Sequence, residues 1–420
     1  MKILWVKANK LLPVHSGGDI RSYHIARSLA SRHELVFFSY YDGEPDANYD
    51  RQLAEHLPGS VTVSTGRKES KAARAIDYLA RLGSGDPYAV SRFESSGVKE
   101  GLKKLLAERR FDVVICDFLD AAVNLPAEMD VPCVLFQHNV ECEIWRRHAE
   151  TETNPAKRMI YGMEYRRMRA YEKATVEKFP QVIAVSEHDR QLMSEWVDPA
   201  RITVMPTGVD LEQYAPVAAR QNVRAPLVIF VGAMDWEPNI DAVEYFCRQI
   251  WPTVLAKVPA ARFRIVGRNP DARVASFAGD TVEVTGRVPS VIEYLREAAV
   301  VVVPLRIGGG TRLKIYEAMA AGKAVVSTTI GAEGLDVHHG RDIVLSDDPA
   351  HFADSIVSLI QDEEYRERIG KAGAELAAQY GWPVVAAKFA EILKSVIRQP
   401  AVSRPVRGGD ERSVTLVNTD

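Results

Sequence analysis

Short runs of apolar residues alternate with longer amphipathic stretches along most of the chain. In the first half the apolar runs are KILWVKA, ELVFFSY, VTVST, DVVICDF, PCVLFQH and QVIAVS. In the second half they are LVIFVGAM, RFRIVG, VEVTG, VVVVPL and AVVST. Continuous apolar strands separated by helices such as DIRSYHIARSLASR are typical of parallel sheets covered on both faces. The pattern occurs as two series, so the sequence predicts two doubly wound α/β domains.

A stretch rich in proline and glycine separates the two series. It contains Pro206, Gly208 and Pro216, and the next apolar run starts at Leu227. Open parallel sheets bind ligands beyond the carboxyl ends of their strands, so two facing sheets predict a cleft with a substrate for each side. The expected units are an N-terminal domain over 1–206, a linker over 207–225 and a C-terminal domain over 226–381.

The end of the chain divides into a helix and a polar tail. GWPVVAAKFAEILKSVI has the apolar period of a last helix, which we assign to residues 382–398. The stretch that follows carries prolines, a glycine pair and mixed charge without any period. We therefore expect residues 399–420 to be disordered.

Composition and charge limit the classes of partner. The chain has 420 residues, of which 46% are hydrophobic and 26% charged, and its net charge is −3. This balance argues against nucleic acid as a partner, because nucleic-acid-binding domains are usually basic. The four cysteines (Cys116, Cys133, Cys142, Cys247) form no C-x-x-C pair. We expect buried thiols in a reducing compartment rather than disulfides or a zinc site.

The N-terminal residues predict a strand, so we expect no targeting signal there. MKILWVKA already has the pattern of a strand, without a charged leader, an apolar core or a cleavage site. No apolar run reaches the roughly 18 residues that a membrane span requires. The expected location is the cytoplasm.

The stretch GGGTRLKIYEAMAAGKAVV, residues 308–326, has the residue types of an anion site. It has neither the spacing of a P-loop nor a Gly-x-Gly-x-x-Gly after a strand. Its glycines allow close approach of main-chain amides, and the helix that starts near Thr311 directs its N-terminus outward. Arg312 adds a forked cation and Lys314 a point charge. The stretch predicts a cradle for phosphate, with a plain loop-to-helix cap as the alternative.

Three further residues, in two places, are candidates for the site. Gly17 and Gly18 stand just before a predicted helix with Asp19 as its N-cap, and a turn without function is the alternative. His138 directly follows an apolar strand, so it is expected at the carboxyl end of the sheet, facing the cleft. A hydrogen-bonded core histidine is the other interpretation of His138.

Carboxylate pairs do not occur at the spacing of a divalent-metal site. Asp117 and Asp120 in ICDFLD, and Asp347 and Asp348 in SDDP, come nearest to an Asp-x-Asp pattern without matching it. We interpret them as solvated or capping carboxylates and predict no metal.

The order of these segments resembles the retaining glycosyltransferases of family 4, which have the GT-B fold. The resemblance covers residues 1 to about 398. It depends on SGGDIRSYHIARSLA, QHN, VMPTGVDLEQY, VGAMDWEPN and, as the most specific piece, GGGTRLKIYEAMAAGKAVVSTTIGAEGL. It implies two Rossmann-like domains facing across a cleft, with the C-terminal helix returning to the N-terminal domain. It also implies a retaining, metal-independent hexosyltransferase without a cofactor.

The resemblance assigns roles to the positions found above. Arg312 and Lys314 would stabilise the departing diphosphate, and His138 would contact the transferred sugar or steady positive charge near its anomeric carbon. Glu317 would accept hydrogen bonds from both ribose hydroxyls, for which a carboxylate is well suited; a surface glutamate paired with Lys314 is the alternative. The remaining donor-binding residues would be Gly17, Gly18, Gly309, Gly310 and Thr311.

The chain departs from the family pattern in two places. Family members often carry Arg and Lys in the first loop of the second domain, where this chain has Ala233 and Pro238. The Glu, seven residues, Glu signature is also incomplete, because Gly309 stands eight positions before Glu317. These departures leave open a catalytically inactive partner subunit. A dinucleotide-dependent oxidoreductase is disfavoured, because WVKANKLLPVHSGG lacks the glycine-rich turn.

The implied partners are a nucleotide sugar and an acceptor. The donor expected from the resemblance is a UDP- or GDP-linked sugar, and the acceptor a glycan or glycolipid in surface polysaccharide or glycoconjugate biosynthesis. Basic residues in EYRRMRAYEKATVEKF favour peripheral contact with the inner face of a membrane. Glu164, Glu172 and Glu177 in the same segment favour a solvated helix face instead. Both interpretations remain open.

Overall fold

The computed structural model describes residues 1–398 except 15, 68–69, 82, 84, 153, 216–224 and 308–312. The predictions for Gly309, Gly310, Thr311 and Arg312, and for the tail over 399–420, lie outside the described residues. None of the described helices combines the length and the hydropathy that crossing a bilayer requires.

The N-terminal half forms one parallel sheet. Among the described residues it has seven strands in the order β3-β2-β1-β4-β5-β6-β7. The strands are β1 (Lys2–Ala8), β2 (Glu34–Tyr41), β3 (Val61–Ser64), β4 (Val113–Asp117), β5 (Cys133–Phe136), β6 (Gln181–Ala184) and β7 (Ile202–Val204). The order runs outward in both directions from β1 and β4, as expected for a doubly wound sheet.

The C-terminal half forms a second parallel sheet. Its six described strands have the order β10-β9-β8-β11-β12-β13. The strands are β8 (Leu227–Val231), β9 (Arg262–Val266), β10 (Val282–Val284), β11 (Val300–Val303), β12 (Ala324–Ser327) and β13 (Val344–Leu345). The predicted fold class is confirmed. Only β7 and β13 lack a predicted counterpart, because each is a short edge strand with too few apolar positions to form a pattern.

Helices cover both faces of the two sheets. They are α1 (Gly17–Ala30), α2 (Ala47–His56), α3 (Lys71–Arg81), α4 (Tyr88–Ser91), α5 (Ser96–Glu108), α6 (Glu141–Thr151), α7 (Pro155–Val176), α8 (Glu187–Met193), α9 (Glu237–Tyr245), α10 (Trp251–Lys257), α11 (Ala272–Ala275), α12 (Val291–Glu297), α13 (Leu313–Ala320), α14 (Pro349–Gln361), α15 (Glu363–Ala377) and α16 (Trp382–Arg398). Short 3₁₀ turns span Leu119–Asn124, Pro199–Arg201 and Ala378–Tyr380.

The amphipathic stretch DAVEYFCRQIWPTVLAKV is not one helix. A π-helical turn, Phe246–Ile250, separates α9 from α10, and the Trp251 N–H donates to the Phe246 carbonyl. Pro252, in the first turn of α10, has no N–H to donate. The helix therefore widens for one turn before it continues.

The last helix packs on the first domain. Trp382, Phe389 and Leu393 of α16 belong to the apolar core beneath the first sheet. The Phe389 ring stacks on Trp5 of β1 with centroids 5.8 Å apart. The predicted return of the C-terminal helix to the N-terminal domain is confirmed. The first sheet ends with β7 and the second begins with β8, and the predicted linker between them lies partly outside the described residues.

Candidate functional site

Helix α1 begins at Gly17, with Ser16 as its N-cap. The Ser16 hydroxyl accepts from the Asp19 N–H at 3.1 Å and donates to the Asp19 carboxylate at 2.7 Å. The prediction of Asp19 as the N-cap is therefore wrong: Ser16 has the extended backbone that a cap requires, and the Asp19 carboxylate accepts from the Ser16 hydroxyl. As a result Gly17 and Gly18 lie in the first helical turn, where main-chain N–H groups have no partner within the helix.

The first turns of α1 and α13 meet between the two domains. A Cβ atom added to Gly17 would lie 3.4 Å from Cδ1 of Leu313. Lys314 and Glu317 follow on the same helix, α13. The structure therefore places the start of α1 against the start of α13, the helix that carries Lys314 and Glu317.

His138 has both ring nitrogens engaged within the protein. It is 2% exposed and follows β5. Nδ1 lies 2.9 Å from an Arg21 guanidinium nitrogen, and Nε2 lies 2.8 Å from Oδ1 of Asp117. Because arginine can only donate, Nδ1 accepts and Nε2 carries the proton that is donated to Asp117. The imidazole is therefore a neutral ring with a fixed tautomer.

Burial sets the protonation states of this group. It lowers the pKa of His138 to about 4 and that of Arg21 to about 10. Burial would raise the pKa of Asp117, but the Lys7 ammonium and the His138 hydrogen bond hold it at about 2. At neutral pH the arrangement is an ionised carboxylate behind a neutral imidazole.

Asp117 is also the centre of a buried charge network. Its Oδ2 accepts from the Trp5 indole N–H at 2.9 Å and lies 3.6 Å from Lys7 Nζ. Lys7 Nζ lies 3.3 Å from Asp19. Burial alone would lower the pKa of Lys7, but these two carboxylates raise it above its ordinary value. The interpretation of Asp117 as a solvated or capping carboxylate is wrong, because the side chain is fully buried and paired.

Sequence reasoning missed Lys7, Arg21 and Asp117 as members of the site. Lys7 carried a usable signal, because a charged residue stands inside the otherwise apolar strand KILWVKA. Asp117 ends strand β4 next to β5, so its place at the carboxyl edge was also readable. Arg21 had no such signal, since only packing decides which face of α1 approaches His138.

Lys314 reaches the first loop of the second domain. Its Nζ donates to Oδ1 of Asn239 at 2.8 Å and lies 4.6 Å from the centre of the Phe230 ring. Asn239 is 2% exposed and donates in turn to the Ala233 carbonyl at 2.8 Å. The ammonium therefore occupies the loop in which Ala233 replaces the arginine expected from the family pattern.

Glu317 lies one turn after Lys314 on α13. The Tyr214 hydroxyl hydrogen-bonds to its carboxylate, and burial raises the pKa of Glu317 above its ordinary value. Tyr214 belongs to the segment that connects the two sheets. The side chain is thus a partly buried carboxylate in the cleft.

Two more carboxyl groups near the edge of the first sheet have raised pKa values. Burial raises the pKa of Asp120 to about 7, and Oδ1 of Asp120 is buried without a hydrogen-bond partner among the described residues. Burial and the neighbouring Glu172 raise the pKa of Glu141 to about 7. Both groups therefore titrate close to neutral pH.

The segment EYRRMRAYEKATVEKF has buried glutamates, which the interpretation as a solvated helix face did not predict. It spans the C-terminal part of α7, in which Glu164 is 1% exposed and Glu172 is fully buried. Glu172 accepts from the main-chain N–H groups of Glu141 and Cys142, both at 2.8 Å. The interpretation of Glu164 and Glu172 as part of a solvated face is wrong, because both cap or brace neighbouring backbone.

Two family models match the chain. The model described as Glycosyltransferase Family 4 matches residues 15–213, and the model described as Glycosyl transferases group 1 matches residues 225–362. The first match includes the strands β2 to β7 of the first sheet, and the second includes all six described strands of the second sheet.

Curated relatives include two mannosyltransferases. The chain is 30% identical to the phosphatidyl-myo-inositol mannosyltransferase of Mycobacterium leprae over 52% of this chain and 60% of the relative. It is 26% identical to the enzyme of the same name from Mycolicibacterium smegmatis over 82% of this chain and 88% of the relative. The chain thus spans less than two thirds of the first relative and most of the second.

Solved structures share the fold. Sucrose-phosphate synthase from Thermosynechococcus elongatus superposes with a TM-score of 0.68 at 19% identity, covering 94% of this chain and 98% of the other. Anabaena HepE in complex with UDP and glucose superposes with a TM-score of 0.63 at 15% identity, covering 94% and 100%. At such identities the likeness concerns the fold alone.

Proposed function

We propose that this chain, which two glycosyltransferase family models match and which has the GT-B fold, transfers a hexose from a nucleotide sugar to a glycan or lipid acceptor. The observation that carries the proposal is the Lys314 ammonium, held by Asn239 over the first loop of the second domain. A cation fixed at that loop is what a departing diphosphate requires, since the leaving group carries the negative charge that develops in the transition state.

The diphosphate would lie between two helix starts. The first turn of α1 offers the main-chain N–H groups of Gly17 and Gly18. From the other side, α13 offers Lys314, and the glycine-rich stretch before it would add Gly309, Gly310, Thr311 and Arg312. These groups neutralise the leaving group with protein charge, so we propose that turnover needs no divalent cation.

His138 would act on the transferred sugar as a fixed, neutral ring. Its Nδ1 lone pair already accepts from Arg21 and its Nε2 proton is donated to Asp117, so the imidazole does not serve as a general base in this tautomer. The ionised carboxylate behind it can favour positive charge that develops near the anomeric carbon. Since Gly309 has no side chain, we propose retention by front-face displacement, in which the leaving phosphate takes the acceptor proton.

Names of relatives and neighbours support two donor classes. The Mycobacterium relatives are named as mannosyltransferases acting on phosphatidyl-myo-inositol, and HepE was solved with UDP-glucose. We propose a UDP- or GDP-linked hexose as the donor for this chain, and a lipid-linked or glycan acceptor.

The function is tested with the purified full chain and a panel of UDP-, GDP-, ADP-, CMP- and dTDP-sugars. Binding is measured by thermal shift, and turnover by release of the nucleoside diphosphate with and without EDTA. We expect stabilisation and slow hydrolysis with a UDP- or GDP-hexose, unchanged by EDTA. Loss of turnover in EDTA would refute metal independence. Binding without turnover, even with added lipid and glycan acceptors, would favour the inactive partner subunit.

The Glu317 carboxylate is expected to recognise the ribose of the donor. Glu317→Ala should weaken nucleoside diphosphate binding by about 10- to 100-fold, because a buried ribose hydroxyl loses a charged acceptor. Glu317→Gln should weaken binding less, since one acceptor oxygen remains. Isothermal titration with the preferred nucleotide and with its 2′-deoxy form measures both effects. The ribose assignment fails if Glu317→Ala retains wild-type affinity, or if it discriminates against the deoxy nucleotide as the wild type does.

A lipid-linked acceptor would require contact with a membrane surface. The described residues of the first domain expose several large apolar side chains, including Ile76 at 69% and Leu79 at 64% on α3 and Met159 at 71% on α7. We expect the chain to pellet with vesicles containing phosphatidylglycerol. Ile76→Ser/Leu79→Ser should reduce pelleting severalfold, because apolar area that would enter the interface is lost. Equal pelleting of wild type and variant would exclude α3 as the contact.

A further inference from the structure

Phe118 has a backbone conformation that residues other than glycine rarely adopt. It directly follows β4 and has φ 68° and ψ 160°. Conformations of this kind are strained for a residue with a side chain, and they persist only where the surrounding structure imposes them. Here the Phe118 N–H donates to the Phe136 carbonyl at 3.0 Å, and Cys116 Sγ lies 3.5 Å from the Phe118 carbonyl oxygen.

The strained backbone places the Phe118 ring between three groups of the site. The ring stacks on the His138 imidazole, with centroids 3.9 Å apart and planes inclined by 15°. Lys7 Nζ lies 4.4 Å from the centre of the ring. The edge of the ring meets the start of α1, where a Cβ atom added to Gly18 would lie only 2.3 Å from Phe118 Cζ.

The contact with Gly18 is too close for any side chain at that position. A Cβ atom would have to displace an aromatic ring that is itself packed on His138. Gly18 is therefore required for the approach of Phe118, in addition to any main-chain contact it makes with a ligand. The contact between Gly18 and the Phe118 ring therefore depends both on the missing side chain at Gly18 and on the strained backbone of Phe118.

We propose that Phe118 is a positioning residue, which fixes the His138 imidazole and the glycine start of α1 relative to each other. The proposal rests on the proposed function, in which His138 acts on the sugar and the start of α1 on the diphosphate. These two groups belong to different elements, and Phe118 contacts both. A glycine at 118 would relieve the strain but would remove the ring that contacts both groups, with the Arg21 side chain of α1 still in contact with His138.

The alternative is that Phe118 only fills space in the core. That alternative predicts that activity follows stability, because each loss of packing would act on both. A positioning role predicts that activity falls without a matching loss of stability. The backbone strain makes the separation measurable, since glycine and alanine both remove the ring but only glycine relieves the strain.

The first test compares Phe118→Gly and Phe118→Ala with the wild type. We expect kcat to fall by about 100-fold in the Gly and Ala variants, as for a misplaced reacting group, with a much smaller change in the donor KM. Phe118→Gly should melt at a higher temperature than Phe118→Ala while being no more active. A kcat within twofold of wild type in Phe118→Ala, or activities that rank with melting temperature, would overturn the proposal.

The second test is a double-mutant cycle between Gly18 and Phe118. Gly18→Ala alone should lower kcat severely, because its Cβ displaces the ring. Once the ring is removed in Phe118→Ala, adding Gly18→Ala should cost little more. Gly97→Ala is the matched control, since Gly97 is also the second residue of its helix and its Cβ would lie 3.9 Å from the nearest atom, Ser95 Oγ. Additive losses at Gly18 and Phe118 would contradict the proposal.

A readout without turnover separates this proposal from the proposed function. In protein labelled with ¹⁵N-histidine, the His138 signals are assigned by their absence in His138→Asn. We expect one protonated and one unprotonated ring nitrogen in the wild type, and tautomer exchange or line broadening in Phe118→Ala. If no sugar nucleotide is turned over by the wild type, the proposed function fails, yet this spectrum still tests Phe118. Identical His138 signals in wild type and Phe118→Ala would refute the positioning role.

Discussion

Lys314→Ala is expected to lower kcat by about 100- to 1000-fold, with little change in acceptor KM. The Lys314 ammonium is held by Asn239 in the loop that lacks the expected arginine, so removal of the ammonium leaves developing charge on the diphosphate without this partner. Because protein charge replaces a metal in this proposal, added Mg²⁺ should not restore the lost activity. The measurement is kcat for release of the nucleoside diphosphate from the preferred donor.

Three variants show whether the charge itself matters. Lys314→Met keeps an unbranched side chain of similar length and loses the ammonium that lies over the Phe230 ring, so it should be as inactive as Lys314→Ala but more stable. Asn239→Ala should lower kcat by about tenfold, because Lys314 loses its orienting acceptor. Lys371→Ala, at an exposed position of α15, is the control and should match the wild type. Near-normal turnover in Lys314→Met would refute the diphosphate role.

Asp117→Asn is expected to lower both stability and activity. It leaves the buried Lys7 ammonium with one carboxylate fewer, which should reduce the free energy of unfolding by about 3–5 kcal/mol. The amide also offers His138 a different hydrogen-bonding pattern, so the tautomer that donates from Nε2 is no longer favoured. We expect kcat to fall by about 100-fold or more in the fraction that remains folded. Asp130→Asn, an exposed carboxylate in the loop before β5, is the control.

The dependence of stability on pH gives an independent check of the Asp117–His138 pair. The pKa of Asp117 is held at about 2 in the folded state, so its stabilisation is present above the unfolded value near 4 and is lost as pH falls towards 2. His138 takes up a proton near pH 4 when folded but near 6.5 when unfolded, so it also costs stability as pH falls through that range. Urea unfolding from pH 7 to pH 3 measures the slope.

Two other groups raise the stability of the folded state as pH falls and so oppose the effect of Asp117 and His138. Asp120 and Glu141 have folded pKa values raised to about 7, so their contribution grows as pH falls from about 7 towards 4. The attribution to Asp117 therefore comes from comparing Asp117→Asn with wild type, not from the wild-type curve. Below about pH 4 the variant should lose stability less steeply than the wild type. Parallel curves would show that the Asp117 carboxylate is not stabilised in the folded state.

Most of the strands and helices could be predicted from short local patterns in the sequence. Valine-rich runs such as VVVV before Pro304 predict buried parallel strands, because both faces of a central strand are covered and need apolar side chains. The interrupted helix over residues 241–258 was not predicted, although Pro252 at its twelfth position was a signal, because proline inside a helix removes a main-chain hydrogen bond. The N-cap at Ser16 was missed because serine and aspartate both cap helices, and only the backbone distinguishes them.

The sequence by itself determined the α/β architecture and the order of the strands along the chain, because each depends on neighbours within a few residues. Only the tertiary structure decided which side chains meet. Arg21 reaches His138 across 117 positions, and Lys314 reaches Asn239 across 75. Such contacts depend on helix rotation and on how two sheets pack, which no local period encodes. For the same reason the sequence ICDFLD did not predict the strained backbone of Phe118. That conformation is imposed by contacts with Gly18 and His138, which are distant in sequence.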